Sequence, residues 1–153
     1  MTEEISFTVP GLAPASWSGN SRVHWSKRHR DADEYAERVW CAYWSDEGTW
    51  QEGGGPDEGY YSGPISVRHE VCKASTWARA HLTLVQRAVR PRDHDNFLAS
   101  FKAGLDSLTT KGKRPLGIIL DDTPECLSIE VRTERVKHKR DECVLVTLRR
   151  EDG

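Results

Sequence analysis

Phe97, Phe101, Leu105 and Leu108 fall at i, i+4, i+8 and i+11, a spacing that gathers apolar side chains on one side of an α-helix. A helix over Asn96 to Leu108, which Asp95 or Asp93 could cap, must bury that stripe against other elements. The rest of the chain supplies them. Ile5 to Val9 reads as a strand closed by Pro10-Gly11. Tyr35, Val39, Ala42 and Tyr43 recur at helical spacing and predict a helix from Asp31 to about Trp44, with Asp31, Asp33 and Glu34 at the end where negative charge is favoured. Gly48 to Pro64, with Gly53-Gly54-Gly55-Pro56 and Ser62-Gly63-Pro64, reads as a long flexible loop. Ile65 to Val71 and Ala80 to Ala88 alternate as strands, the second with Leu82, Leu84 and Gln86 on one face, and the short link from Lys73 to Trp77 predicts an antiparallel pair. Gly117 to Leu120 is a short apolar run. Leu127 to Val136 and Cys143 to Leu148 read as strands joined by the charged turn Lys137 to Glu142. The expected fold is α+β: a small mixed or mostly antiparallel sheet with two helices packed on one face, as a single domain over residues 1–153.

Composition agrees with one core. The 153 residues are 37% hydrophobic and 30% charged, with six Trp, four Tyr and three Phe, which is globular rather than disordered composition. No window approaches the roughly 18 to 20 apolar residues that span a bilayer, and Met1-Thr2-Glu3-Glu4 is acidic where a secretory signal is basic. A cytoplasmic protein with no membrane partner is expected. The four cysteines, Cys41, Cys72, Cys126 and Cys143, form no Cys-x-x-Cys pair, which points to reduced thiols rather than disulfides or a zinc knuckle. A formal charge of -2 excludes a polycation that holds nucleic acid by bulk charge, so a nucleic-acid role must rest on local patches. Residues 1–86 carry 8 basic against 12 acidic side chains, residues 87–153 14 against 12; the second half is mildly basic.

Two acidic groups stand out. Asp93-His94-Asp95 sets two carboxylates two residues apart at a strand-to-helix junction, and Asp121-Asp122 follows the apolar run at Gly117 to Leu120. Converging, they would form an oxygen-rich cage for Mg²⁺ or Mn²⁺. Standing apart, they are a helix cap and an Asp-rich turn, both common. His94 points away from its neighbours if the backbone there is extended. There is no Ser/His/Asp arrangement, and Gly53-Gly54-Gly55 lacks the Lys and Ser/Thr of a phosphate-binding loop.

Arg92-Asp93-His94-Asp95-Asn96-Phe97-Leu98, then Lys102-Ala103-Gly104-Leu105-Asp106-Ser107-Leu108, then Gly117-Ile118-Ile119-Leu120-Asp121-Asp122 resembles the core signature of the RusA family of Holliday junction resolvases. That signature is an Asp-x-Asp-Asn opening a helix, a Lys on the helix, a Leu-Asp-x-Leu sequence, and a Gly followed by Asp-Asp. Pro10, Pro14, Asn20 and His24-Trp25 resemble the family's Pro-rich opening more loosely. One departure is the lysine, which in the family stands four residues after the second aspartate of Asp-x-Asp; here Ala99 holds that place and Lys102 comes seven residues after Asp95. Both offsets lie near one helix face, a turn apart, so Lys102 could reach the same phosphate or could be a solvated surface lysine.

The resemblance implies that Asp93, Asp95 and Asp122 are catalytic carboxylates binding Mg²⁺, with Mn²⁺ able to substitute and Asp121 beside them, and that Lys102 assists. It implies a homodimer that nicks symmetrically related strands of a four-way DNA junction, the two-fold axes of protein and DNA coinciding. Related activities on flaps or forks, or a non-catalytic DNA-binding role on the same fold, are the alternatives. Branched DNA must approach an acidic centre, so basic residues should surround it: Arg87, Arg90 and Arg92 before the motif, Lys111, Lys113 and Arg114 before Asp121, and Arg22, Lys27, Arg28 and Arg30 in the N-terminal loop. Lys137, Lys139 and Arg140 sit on a charged turn. Tryptophans are more often core or interface than base stackers; Trp17 and Trp25, in the basic N-terminal loop, are the exceptions to test.

Overall fold

A computed structural model describes residues 3–17, 22, 24–46, 76–111 and 115–151. The expected strand at Ile65 to Val71, its pairing, and the loop at 48–64 lie outside the described residues. Four strands are described, β1 (Glu4–Pro10), β2 (Ala80–Ala88), β3 (Leu127–Arg135) and β4 (Cys143–Arg150), with three α-helices, α1 (Trp25–Asp46), α2 (His94–Ser100) and α3 (Lys102–Leu108). The strands form one sheet in the order β1-β4-β2-β3. β4 runs antiparallel to β1 and to β2, whereas β2 and β3 are parallel. The sheet is therefore mixed and the fold α+β. Among the described residues no helix is long and apolar enough to cross a membrane.

Register explains the core. Phe7 stands opposite Val146, Val146 opposite Leu84, and Leu84 opposite Val131. One face of the sheet thus presents an apolar row, because side chains two apart share a face. Gln86 lies on that face between Val144 and Thr133. On the other face Ser6, Thr147, Thr83 and Glu130 line up in the same way. The helices cover the apolar face: Tyr35, Val39, Ala42 and Tyr43 of α1 join Phe7, Leu82, Leu84 and Val146 in one buried cluster with Phe97, Phe101, Leu105 and Leu108. The helical stripe read from the sequence is thus the part of α2 and α3 that is buried.

Three elements differ from expectation. α1 begins at Trp25, six residues before the acidic cluster. There Nδ1 of His24 accepts from the Ser26 amide at 3.2 Å, satisfying one of the amide donors that a helix start leaves open, while Asp31 binds Lys27 one turn away at 2.8 Å and Ser16 at 2.7 Å. The helix expected over Asn96 to Leu108 is divided at Phe101, whose φ of -85° and ψ of 1° interrupt regular geometry. A Cβ on Gly104 would stand 2.8 Å from the Phe101 ring, so the glycine is what lets that ring lie against α3. Finally, β3 and β4 are not hairpin partners, since β2 lies between them; Lys139–Asp141 forms a 3₁₀ turn on the link between them. A parallel β2–β3 pair needs a crossover, and that crossover carries α2, α3 and all three segments of the acidic motif.

Candidate functional site

The site is built by a chain reversal. After Leu108 the chain turns back, and the amides of Ile118 and Ile119 donate to the Leu108 carbonyl at 3.0 and 3.1 Å while Gly117 donates to Thr109 at 3.0 Å. These bonds satisfy carbonyls that the end of α3 would leave open. Gly117 adopts φ of +68°, a left-handed turn that glycine enters without Cβ strain. Ile118 and Ile119 are buried, and Trp77 fixes the segment from its other side, donating to Ile118 at 2.8 Å and accepting from Leu120 at 3.0 Å. The returning strand-like segment thus delivers Asp121 and Asp122 alongside α3.

There Lys102 donates to Asp122 Oδ2 at 2.5 Å and pairs with Asp106 Oδ1, one helical turn on, at 3.1 Å. Lys111 donates to Asp121 Oδ1 at 2.9 Å, and the same oxygen accepts from the Asp122 amide at 2.8 Å. Three carboxylates and two ammonium groups therefore form one ion-pair network. Partial burial disfavours the Lys102 ammonium, but its bonds to Asp122 and Asp106 outweigh this and raise its pKa above the ordinary lysine value. The Lys111 pKa is raised in the same sense by its bond to Asp121, and that bond, with the Asp122 amide, holds Asp121 below the ordinary carboxylate range. The sign is that of a native ion pair: the Asp121 contact is intact above the ordinary aspartate range and is lost as pH falls through the depressed value.

Asp93 and Asp95 come nine and seven residues before Lys102. Asp93 is the N-cap of α2, its Oδ1 accepting from the Asn96 amide and its Oδ2 from the Asn96 side-chain amide, each at 2.8 Å. The cap expected at Asp95 or Asp93 is Asp93. Asp95 is exposed in the first turn, where it complements the helix dipole. His94 turns towards the sheet, its Nε2 3.4 Å from Thr133 Oγ1.

The loop that presents Asp93 is held from below by Gln86, which is 0% exposed. Its side-chain amide pairs with the Arg92 backbone as another peptide would, donating to the carbonyl at 2.6 Å and accepting from the amide at 3.2 Å. Gln86 also donates to Thr133 Oγ1 at 3.1 Å. Gln86→Ala should therefore destabilise the protein by about 2–3 kcal/mol, since it leaves two backbone groups without their partner. Urea unfolding checks this; a loss below about 0.5 kcal/mol, the range of an ordinary surface change, would show that Gln86 does not hold the loop.

The basic residues divide into groups. Arg92 turns inward, half-buried, with Nη1 on Ser100 Oγ at 2.9 Å, so in this arrangement its guanidinium supports α2 rather than facing DNA. Its burial lowers its pKa. Arg87 binds Glu134 on the neighbouring strand at 2.6 Å. Arg28 lies over the Trp17 ring, 4.7 Å from its centroid. Lys27 is paired with Asp31 and Lys111 with Asp121. Arg22, Arg30 and Arg90 are exposed. Lys113 and Arg114 lie outside the described residues. Sequence reasoning gave Asp106 and Gln86 no role at the site. The i, i+4 spacing of Lys102 and Asp106 was the available signal for the first; for Gln86 it was a polar residue in the alternating apolar face of a strand.

The carboxylate oxygens are the hard donors that Mg²⁺ and Mn²⁺ take. Among the described residues, however, no three His, Cys, Asp or Glu side chains gather closely enough to hold a metal ion. Asp93 is committed to Asn96, Asp122 to Lys102 and Asp121 to Lys111. As arranged, Asp121 and Asp122 are charge-balanced by lysines rather than gathered with Asp93 or Asp95 into a metal cage among the described residues. Comparison with known proteins adds nothing to this geometry: no family model matches the chain, and no curated protein matches it significantly.

Proposed function

We propose that this protein is an endonuclease acting on branched DNA, four-way junctions foremost, and that it works as a homodimer; its Mg²⁺ dependence is proposed on the resemblance alone, since in the arrangement described Asp121 and Asp122 are paired with lysines. The reading rests on the resemblance of residues 92–122 to the RusA signature. The observation that carries it is the Lys102–Asp122 contact, which joins two parts of that signature 20 residues apart in sequence. A lysine kept protonated at neutral pH beside a carboxylate pair is suited to neutralise charge on a phosphodiester as it is cut. Asp122 and Asp106 orient that lysine, and Asp121 does the same for Lys111. Two copies of the chain would supply the two symmetric nicks that resolution of a junction requires.

A second reading is favoured by the same ion pairs: with its carboxylates neutralised by lysines, the protein would bind branched DNA without cutting it. Nicking of a labelled synthetic four-way junction, compared with linear duplex, decides between them. Paired nicks at symmetric positions are expected with Mg²⁺ or Mn²⁺ and none in chelator. Full activity in chelator would overturn the metal dependence, equal cutting of linear duplex the junction preference, and tight binding with no nicking under either metal would establish the second reading.

A further inference from the structure

A groove of about 950 Å³ runs between α1 and α3. Trp17 and His29 line one part of it, Ala36 and Ala103 contribute no more than methyl groups, and Lys102 and Asp106 of the ion-pair network line it as well. The groove therefore opens directly onto the candidate site. Trp25 touches its margin through His29, with ring centroids 5.7 Å apart, and the His24 ring lies tilted beside the indole at 5.6 Å. Trp25 is nevertheless 66% exposed, unusual for the largest apolar side chain in a chain that buries Trp44 and Trp77. Trp17, by contrast, is fixed: its indole N–H donates to the Arg28 carbonyl, and the Arg28 guanidinium covers its ring.

The charges around the groove narrow its occupant. Asp33, Glu34, Glu37 and Asp106 lie along it, so a phosphate inside would meet carboxylates. An uncharged planar group bearing amino donors would find acceptors there instead, as cytosine and adenine amino groups do with acidic and amide side chains. Exposed Arg30 also lines the groove, and exposed Lys27 stands on the same turn of α1, where they can meet the phosphates on either side of such a group. An open aromatic ring beside basic side chains is the arrangement that holds unpaired nucleotides by stacking.

We propose that the mouth of the groove is a subsite for an unpaired nucleobase at the branch point of DNA, stacked on Trp25 at the margin beside His29, with the groove leading from it past Trp17 towards Lys102. The inference rests on the DNA reading above and adds to it the element of the substrate that is recognised. It places branch selectivity in a base that leaves its stack, which a branch point permits at lower cost than a continuous duplex.

The test is a fork or four-way junction with 2-aminopurine at the unpaired position, excited beyond the tryptophan absorption. Wild-type protein should change the probe's fluorescence on binding. Trp25→Ala should remove that change and weaken binding of a single-stranded oligonucleotide on the order of tenfold; Trp25→Phe, which keeps a ring, should retain most of both. His29→Ala should reduce the signal in the same direction. If wild-type protein binds neither junction nor single strand, the DNA reading falls and the subsite with it. If it binds the junction and Trp25→Ala gives the same probe signal and affinity, the subsite alone falls. A Trp25→Ala protein that becomes monomeric in sedimentation with the probe signal unchanged would assign the ring to contact with a second copy and overturn the inference.

Discussion

Asp122→Asn is expected to reduce junction nicking by on the order of a hundredfold or more while leaving junction binding intact. The substitution keeps size and shape but removes the negative charge that holds Lys102, whose ammonium stands 2.5 Å from Asp122 Oδ2. Groups placed to meet the charge that develops in a transition state are worth about this much when one is removed. Binding should survive because loss of a negative charge near phosphates does not weaken an electrostatic contact with them. Lys102→Met should give a comparable loss, and the double variant little more than either alone, because residues that act through one contact are not additive. Asp121→Asn should be milder, since Asp121 meets Lys111, an exposed partner. Gel assays of nicking, with binding measured in parallel, decide the matter. If Asp122→Asn retains a third of wild-type activity, Asp122 does not serve the reaction; if Asp121→Asn is dead and Asp122→Asn active, the register of the pair is wrong.

Some of this arrangement was legible in the sequence because it follows from periodicity that one residue's neighbours determine. The alternation of Leu82, Leu84 and Gln86 places all three on the buried face of β2, and the stripe Phe97, Phe101, Leu105 and Leu108 is the buried face of α2 and α3. The start of α1 was not legible. An acidic run at Asp31 imitates a helix N-terminus, and nothing local shows that Asp31 instead binds Ser16, fifteen residues away. Strand partners were not legible either: β3 and β4 are joined by a short charged link, the usual mark of a hairpin, yet both pair with β2.

The candidate site was half legible, and the reason is the same. Lys102 and Asp122 could be named as motif members, but their meeting depends on the chain reversing after Leu108, which Gly117 and the bonds to the end of α3 bring about. The ion pairs that engage Asp121 and Asp122 belong to that reversal and have no sequence signature of their own. Arg92 shows the converse. Its place beside Asp93 marks it as a phosphate contact by sequence, whereas the short loop clamped by Gln86 directs its guanidinium to Ser100.

Phe101→Ala should destabilise the protein more than Gln86→Ala does, by about 3–5 kcal/mol, a large share of the roughly 5–15 kcal/mol that holds a domain of this kind together. The ring is 0% exposed. It stacks on Phe97 at 6.1 Å, meets the edge of Tyr35 on α1 at 5.7 Å, and fills the space that Gly104 leaves. Its removal opens a cavity where α1, α2 and α3 meet, and the neighbouring residues can close it only by moving α3. Lys102 is the next residue in the chain, so that movement would carry its ammonium away from Asp122. Nicking should therefore fall even at temperatures where the variant is still folded, and the melting temperature should drop on the order of 10 °C. Phe101→Leu, which keeps most of the apolar volume, should cost no more than about 1.5 kcal/mol and leave nicking largely intact. Thermal and urea unfolding, run beside the nicking assay, separate the two effects. A Phe101→Ala protein that loses about 3 kcal/mol of stability yet nicks at the wild-type rate when folded would show that the position of Lys102 is set by Asp106 and Asp122 rather than by the packing beneath it.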